Sequence, residues 1–310
     1  SSYSDWILRR VKDPEIRNSN AFFYDFAGSV NLEAGEKDQL NAFYYQSYDE
    51  FRYSDLNDYH YANRGGSVNW KHHVSSAFSS ELTATLSDYR FGHVEKNEIS
   101  RAYEHNYQLN HNELVGHFKW IPAMRHKVEF GANLIHYRLN RGRITPYGEA
   151  SIRETLDLGR EKALEGGILI SDNFNINNWL SLYAGLRCSY FAKLGPDTVR
   201  YYEPGQEKTD NTVTGTTSYG NNEPIATYGG PEFRSAINIK ANQNTSFKLS
   251  FNQMRQYLLM LTNTVTISPT DQWKLTDDHI KPAVGYQYSG GVYHIFPQWG
   301  LSGSLELYYK

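Results

Sequence analysis

The sequence has a single cysteine, Cys188, in 310 residues. That excludes an internal disulfide framework and a multi-thiolate metal site, and it leaves the redox compartment open. There is no excess of one charge either. Against 31 Lys and Arg stand 34 Asp and Glu, a formal charge of -3, so no nucleic-acid partner is expected. Long apolar runs are also lacking: Tyr257–Leu261 is the greasiest block, far short of the roughly 18 apolar residues of a membrane helix. Low mean hydropathy does not exclude a membrane protein, because a β-barrel presents only every second residue to lipid. The length suits one large or two ordinary domains. No signal peptide opens the chain, and Lys310 falls within an alternating stretch, so the sequence reads as a segment of a longer protein.

Aromatic residues are abundant: 25 Tyr, 15 Phe and 6 Trp, too many and too evenly spread for one aromatic core. They accompany a period of two. In residues 180–190, Leu180, Leu182, Ala184, Leu186, Cys188 and Tyr190 alternate with Ser181, Tyr183, Gly185, Arg187 and Ser189, the pattern of a strand with one apolar and one polar face. The Asn177-Asn178 pair joins this arm to Ile168, Ile170, Asp172, Phe174 and Ile176 through a tight turn. The unit recurs. Apolar sets at Tyr24–Leu32, Leu40–Tyr44, Val68–Trp70, Leu82–Leu86, Leu114–Trp120, Val128–Leu134, Phe233–Ile239, Phe247–Phe251 and Leu301–Tyr309, with a Tyr/Gly-rich strand from about Ile280 to Phe296 and the two arms just described, give about twelve strands, most of 10 to 16 residues.

Between strands, tight turns alternate with longer links. The links are expected at 54–60, 93–101, 141–165, 195–230 and 262–278, and residues 1–20 read as a loop tail with a partial strand. The charged 141–165 stretch is compatible with a helix, but hairpin units on both sides favour an extended protrusion. A crossing strand needs roughly 9–11 residues, and globular strands are nearer five or six. Short turns on one rim and long loops on the other build outer-membrane barrels. Trp70, Trp120, Trp179, Trp299 and Tyr309 near strand ends suit the membrane–water boundary. Alternation alone is shared with a soluble sandwich; strand length, loop asymmetry and aromatic placement select an all-β, antiparallel transmembrane β-barrel.

Several segments resemble TonB-dependent outer-membrane transporters, particularly those of Bacteroidetes-type bacteria. The residues are Ser171–Phe174, Leu182–Arg187, Phe251–Leu258, Ser268–Trp273, Ile280–Pro282 and Gln287–Ser289. The resemblance implies a barrel of about 22 strands around a plug domain, with residues 1–310 part of one barrel domain and the plug and closing strands outside this chain. It further implies a non-enzymatic importer in the outer membrane of a Gram-negative bacterium, taking up a small-molecule or oligomeric nutrient or a metal chelate. Implied partners are outer-membrane lipid, an inner-membrane energy-transducing complex acting through the plug, and, as in some relatives, a surface lipoprotein. No cofactor is expected. A smaller porin, a barrel enzyme and a soluble carbohydrate-binding module are the competing readings.

No catalytic constellation, phosphate loop or dinucleotide fingerprint is present, and Ser181 and Ser189 carry no mark of a nucleophile. His72-His73 point to opposite faces, and His105 and His111 lie roughly 20 Å apart along a strand, so no metal site is expected and the histidines read as surface or interfacial. Asp277-Asp278 reads as solvated loop charge rather than a calcium site. Cys188 reads as a small lipid-facing residue. Arg255, Trp273 and Tyr286, near the loop rim, are candidates for ligand contact. The 195–230 loop is a candidate as a region, with Tyr201-Tyr202 suited to stacking on a planar ligand.

Overall fold

A computed structural model describes residues 5–262 and 271–310. The part of the resemblance that falls on Ser268–Thr270 lies outside the described residues. In chain order the strands are β1 (Asn20–Ala34), β2 (Asp38–Tyr53), β3 (Asn57–Ser75), β4 (Phe78–Glu95), β5 (Tyr103–Ala123), β6 (His126–Pro146), β7 (Leu156–Asn175) and β8 (Leu180–Leu194). They continue with β9 (Asp197–Tyr202), β10 (Val213–Tyr219), β11 (Pro224–Lys240), β12 (Thr245–Gln256), β13 (Leu258–Leu261), β14 (Gln272–Leu275), β15 (Ala283–Phe296) and β16 (Leu301–Tyr309). Twelve of them form one antiparallel sheet in the order β1 to β8, β11, β12, β15, β16. The pairs β9–β10 and β13–β14 are separate hairpins inserted in the long links. The sheet is open: β1 and β16 do not pair with each other among the described residues.

Register carries the apolar positions across the sheet in unbroken rows. Val30, Ala42, Val68, Ala84, Leu114 and Leu134 are successive cross-strand partners. Farther on, Phe174, Leu182, Ile237, Leu249, Gly290 and Leu307 form another such row. A one-residue slip at any pairing would turn a strand's oily set to the other face, so this agreement fixes the register. These side chains are bare: Val30 is 56%, Leu114 60%, Ile168 66% and Leu307 71% exposed. Among the described residues no second sheet covers them, which removes the sandwich reading. An apolar band of this extent is a surface for lipid. Trp120, Trp179 and Trp299 are exposed at the rim of tight turns, as an aromatic girdle requires.

Four expectations change. The strands are longer than the alternation showed, β5 and β6 reaching 21 residues each. The 54–60 link shrinks to a Ser54–Leu56 turn, in which Ser54 adopts a left-handed φ of 49°. The 195–230 stretch contains the β9–β10 hairpin and the first part of β11, not an irregular loop. Residues 5–17 form two single helical turns, Asp5–Leu8 and Pro14–Arg17; Asp13 caps the second by accepting from the Glu15 amide, and Pro14 stands where a missing N–H is harmless. The 141–165 stretch is extended, as expected. Its bulge turns on Gly142, whose φ of +77° would strain any side chain and whose Cβ would overlap the Asn106 carbonyl.

Candidate functional site

The face opposite the apolar band is polar near the tight turns and aromatic farther up. On β7, β8 and β11, Arg187 donates to Glu232 at 2.9 Å and to Glu165 at 3.4 Å, and Tyr137 on β6 donates to Glu165 at 3.1 Å. Arg187 also donates to Asn133 at 3.3 Å. With Glu232 only 1% exposed, this is a buried ionic network spanning four strands, and each carboxylate needs its partners to remain there. Above it lies the apolar core, built from Phe91, Tyr107, Leu109, Ile135, Tyr137 and Leu139 of β4–β6, with Phe191 of β8.

The lid of that core comes from the long link between β12 and β15. Tyr257 stacks on Phe191, ring centroids 4.9 Å apart, and its hydroxyl meets the Ser189 hydroxyl at 2.8 Å. Leu275 on β14 is fully buried beside them. Lys274 donates to Glu161 of β7 at 2.5 Å and to Asp277 at 2.6 Å, while the Leu275 amide donates to the other Glu161 oxygen at 3.0 Å. Tyr228 of β11 donates to the Asp277 carbonyl at 2.8 Å. The link is thus fastened to the inner wall by a stacked ring pair, a buried ion triad and backbone bonds.

A charged cleft of about 290 Å³ opens beside this fastening, lined among others by Arg141, Lys193, Asp197, Tyr202, Lys274 and Asp277. Burial opposes ionisation of Asp277, but Lys274 and the amides of His279 and Ile280 outweigh it and hold the carboxyl below its usual range. Asp277 is therefore a buried ion-pair member and loop cap, not the solvated loop charge expected of it. Arg141 has Glu161 as its nearest carboxylate, at 4.0 Å, and its buried Nε has no partner. The cleft thus mixes satisfied ion pairs with an open guanidinium donor, suited to a polar or anionic ligand group.

The five candidate contact residues fall in different places. Tyr202 lines the cleft, its ring 5.6 Å from that of His279. Its neighbour Tyr201 is exposed on the same hairpin, beside Tyr219. Trp273 packs on the apolar core. Arg255 donates to the Pro231 carbonyl. Tyr286 lies in register between Gly285 and Gln287 on β15, two residues from Tyr288 of the apolar band, and is half exposed. The structure does not bring these five together. Glu161, Lys193 and Lys274 went unmarked in the sequence, since they sit in aperiodic charged stretches over 100 positions apart in the case of Glu161 and Lys274, separated by 113.

Nor are the histidines all at the surface. His93 and His105 are 3% and 4% exposed. His93 stacks on Tyr59 at 4.5 Å, and His105 Nε2 donates to the Arg141 carbonyl at 2.9 Å. Burial, and then the nearby His105, depress His93 to about 4. Among the described residues no group of three or more His, Cys, Asp and Glu could hold a metal ion.

A twelve-stranded antiparallel sheet with an exposed apolar band, a polar inner wall and a loop folded against it has the fold of the TonB-dependent outer-membrane receptor barrel. Among solved structures it is similar to the ferric-catecholate import receptor Fiu of E. coli K12 in its closed form (TM-score 0.64, 10% identity, 93% of this chain and 51% of that one). It is also similar to BauA, the ferric preacinetobactin receptor of Acinetobacter baumannii (0.65, 12%, 96% and 47%), and to the ferric citrate transporter FecA in its unliganded form (0.68, 10%, 94% and 43%). The chain therefore spans about half the length of these receptors. No protein-family model and no curated protein sequence matches it.

Proposed function

We propose that this chain is barrel wall from an outer-membrane active importer of a nutrient or metal chelate, in a Gram-negative bacterium. The observation that carries the reading is the register-locked apolar band on a sheet that covers about half of receptors named for ferric chelates. In this reading residues 1–310 are part of one barrel domain, and the parent protein supplies a plug that couples to an inner-membrane energy-transducing complex. A surface lipoprotein partner and a Bacteroidetes-type source rest on the local sequence resemblance alone. The charged cleft at Arg141, Lys193 and Tyr202, bounded by two inserted hairpins, is the ligand-contact region, with Tyr201, Trp273, Arg255 and Tyr286 outlying it.

The test is uptake by cells carrying or lacking the full-length gene, with radiolabelled ferric chelates as cargo and a protonophore as the control. The reading expects uptake that disappears on deletion, returns on complementation and stops with the protonophore. Gene-dependent uptake that ignores the protonophore would make the protein a passive pore instead.

A further inference from the structure

The outward face changes character sharply where the apolar band ends. On β7 the outward residues run Ile170, Ile168, Gly166, Leu164, then Lys162 and Arg160; on β6 they run Phe130, Ala132, Leu134, His136, then Arg138. Arg138 and Lys162 are direct cross-strand partners, and Asn140 pairs with Arg160 one step farther up. Among the described residues, Arg138 and Arg160 have no hydrogen bond or ion pair, and both are exposed. Lys162 donates only to the neutral amide oxygens of Asn221 and Asn222, at 2.7 and 3.0 Å. Arg138 and Lys162 therefore stand together with no carboxylate among their partners, whereas Arg160, one row farther up, lies near the Asp157 carboxylate and lines the charged cleft.

The rows continue round the sheet with two further cations and one carboxylate. Arg138 faces Asn110, Asn110 faces Asp88 and Asp88 faces Arg64, while Arg90 lies in the next row. Asp88 is the one carboxylate in these two rows, and Arg64, Arg90, Gln108 and Asn110 already surround it. Two rows below Arg138 and Lys162, past His136 and Leu164, the band has a notch. Gly166 occupies the row between Leu134 and Tyr190, both more than half exposed, so a missing side chain leaves a groove between two greasy walls. Cations at the polar edge of a lipid-facing groove match a molecule with a phosphate head and acyl tails.

We infer that the β6–β7 outer face is a binding site for a phosphate-headed membrane lipid, with Arg138 and Lys162 holding the phosphate and an acyl chain lying in the Gly166 notch. The inference concerns the outer wall, so it stands whatever the cargo, and it needs only that the band face a bilayer.

The experiment is native mass spectrometry of the full-length protein in a neutral maltoside detergent. Dioleoyl phosphatidate and dioleoyl phosphatidylcholine are titrated separately, with inorganic phosphate as a third arm. Wild type should retain phosphatidate in preference to phosphatidylcholine. The R138Q/K162Q variant should bind phosphatidate at least about tenfold more weakly, because each surface cation is worth on the order of a fivefold factor. The charge-conserving R138K/K162R variant should keep wild-type binding, which separates charge from misfolding; heat-modifiable migration in gels confirms the folded barrel in each. Equal retention of the two lipids by wild type, or unchanged phosphatidate binding by the glutamine variant, overturns the inference. So does inorganic phosphate that binds as tightly as phosphatidate.

Discussion

Lys274 Nζ lies 2.5 Å from Glu161 Oε1, and the two residues are 113 positions apart. One belongs to a loop between β12 and β15, the other to the wall strand β7, so this contact decides whether the loop lies against the inner wall. Both side chains are at least nine-tenths buried. Removing one partner strands a buried charge, which costs about 3–5 kcal/mol, whereas removing both costs less. Lys274→Met should therefore release residues 271–282 to fast amide exchange. The Lys274→Met/Glu161→Gln pair should restore part of the protection. Equal exchange in wild type and Lys274→Met would remove this contact as the fastening.

The stacked pair makes a second, milder prediction. Tyr257→Phe keeps the ring on Phe191 and loses only the bond to Ser189, about 1 kcal/mol. Tyr257→Ala also opens a cavity in the core and should cost about 3–5 kcal/mol. Urea titration followed by Trp273 fluorescence orders the two, and a phenylalanine variant as damaged as the alanine one would contradict the stacking role.

Acid should undo the same region in two stages. The folded-state value of His93 is depressed from 6.5 to about 4, so the unfolded chain binds its proton more readily. Its contribution is full above pH 6.5 and falls as pH drops towards about 4. Asp277 is held below its ordinary 3.8, so its contribution is full above that value and is lost as pH falls through the lower folded one. Amide exchange at constant temperature should therefore show β3–β5 ends loosening first and the 271–282 segment only in stronger acid. Loosening of the β3–β5 ends as pH rises from 4 to 7 would reverse the sign for His93, and a 271–282 segment that tightens as pH falls below 3.8 would reverse it for Asp277.

Facing can be read from a pair of neighbours. Ile237 belongs to the apolar row and Asn238 to the polar wall. Ile237→Arg should cost about 2–4 kcal/mol in a bilayer folding assay, and Asn238→Arg little. Equal effects would mean that the faces are misassigned.

The sheet was legible in the sequence because lipid enforces strict alternation only within its own thickness. Leu114–Trp120 and Val128–Leu134 alternate for that reason. Tyr103–Asn110 continues the same strand beyond the band with its phase inverted: His105, Tyr107 and Leu109 are buried on the inner side, alternating with Asn106, Gln108 and Asn110, while pairing with β4 persists. That is why β5 and β6 run longer than their apolar sets. The β9–β10 hairpin was hidden by Gly, Thr and Asn, residues typical of loops, yet its backbone pairs from Val213 to Tyr219. Of the site, Tyr202 was visible as an aromatic in a long link. The Glu161–Lys274–Asp277 triad was not, since ion pairs across a barrel leave no local pattern. Tyr286 and Trp273 show the converse: large aromatics near a rim serve the outer face and the core as readily as a ligand.

The most direct test uses Cys188, the one cysteine of this sequence, exposed on the outward face. In the full-length protein, with any cysteine outside this sequence replaced by serine, it is labelled with a bimane fluorophore and reconstituted into phosphatidylcholine vesicles containing brominated acyl chains. Cys188 should be strongly quenched, and the label moved to the opposite face in a C188S/S181C variant should not. Equal quenching at the two positions would mean that the apolar band does not face lipid, and the account would fail.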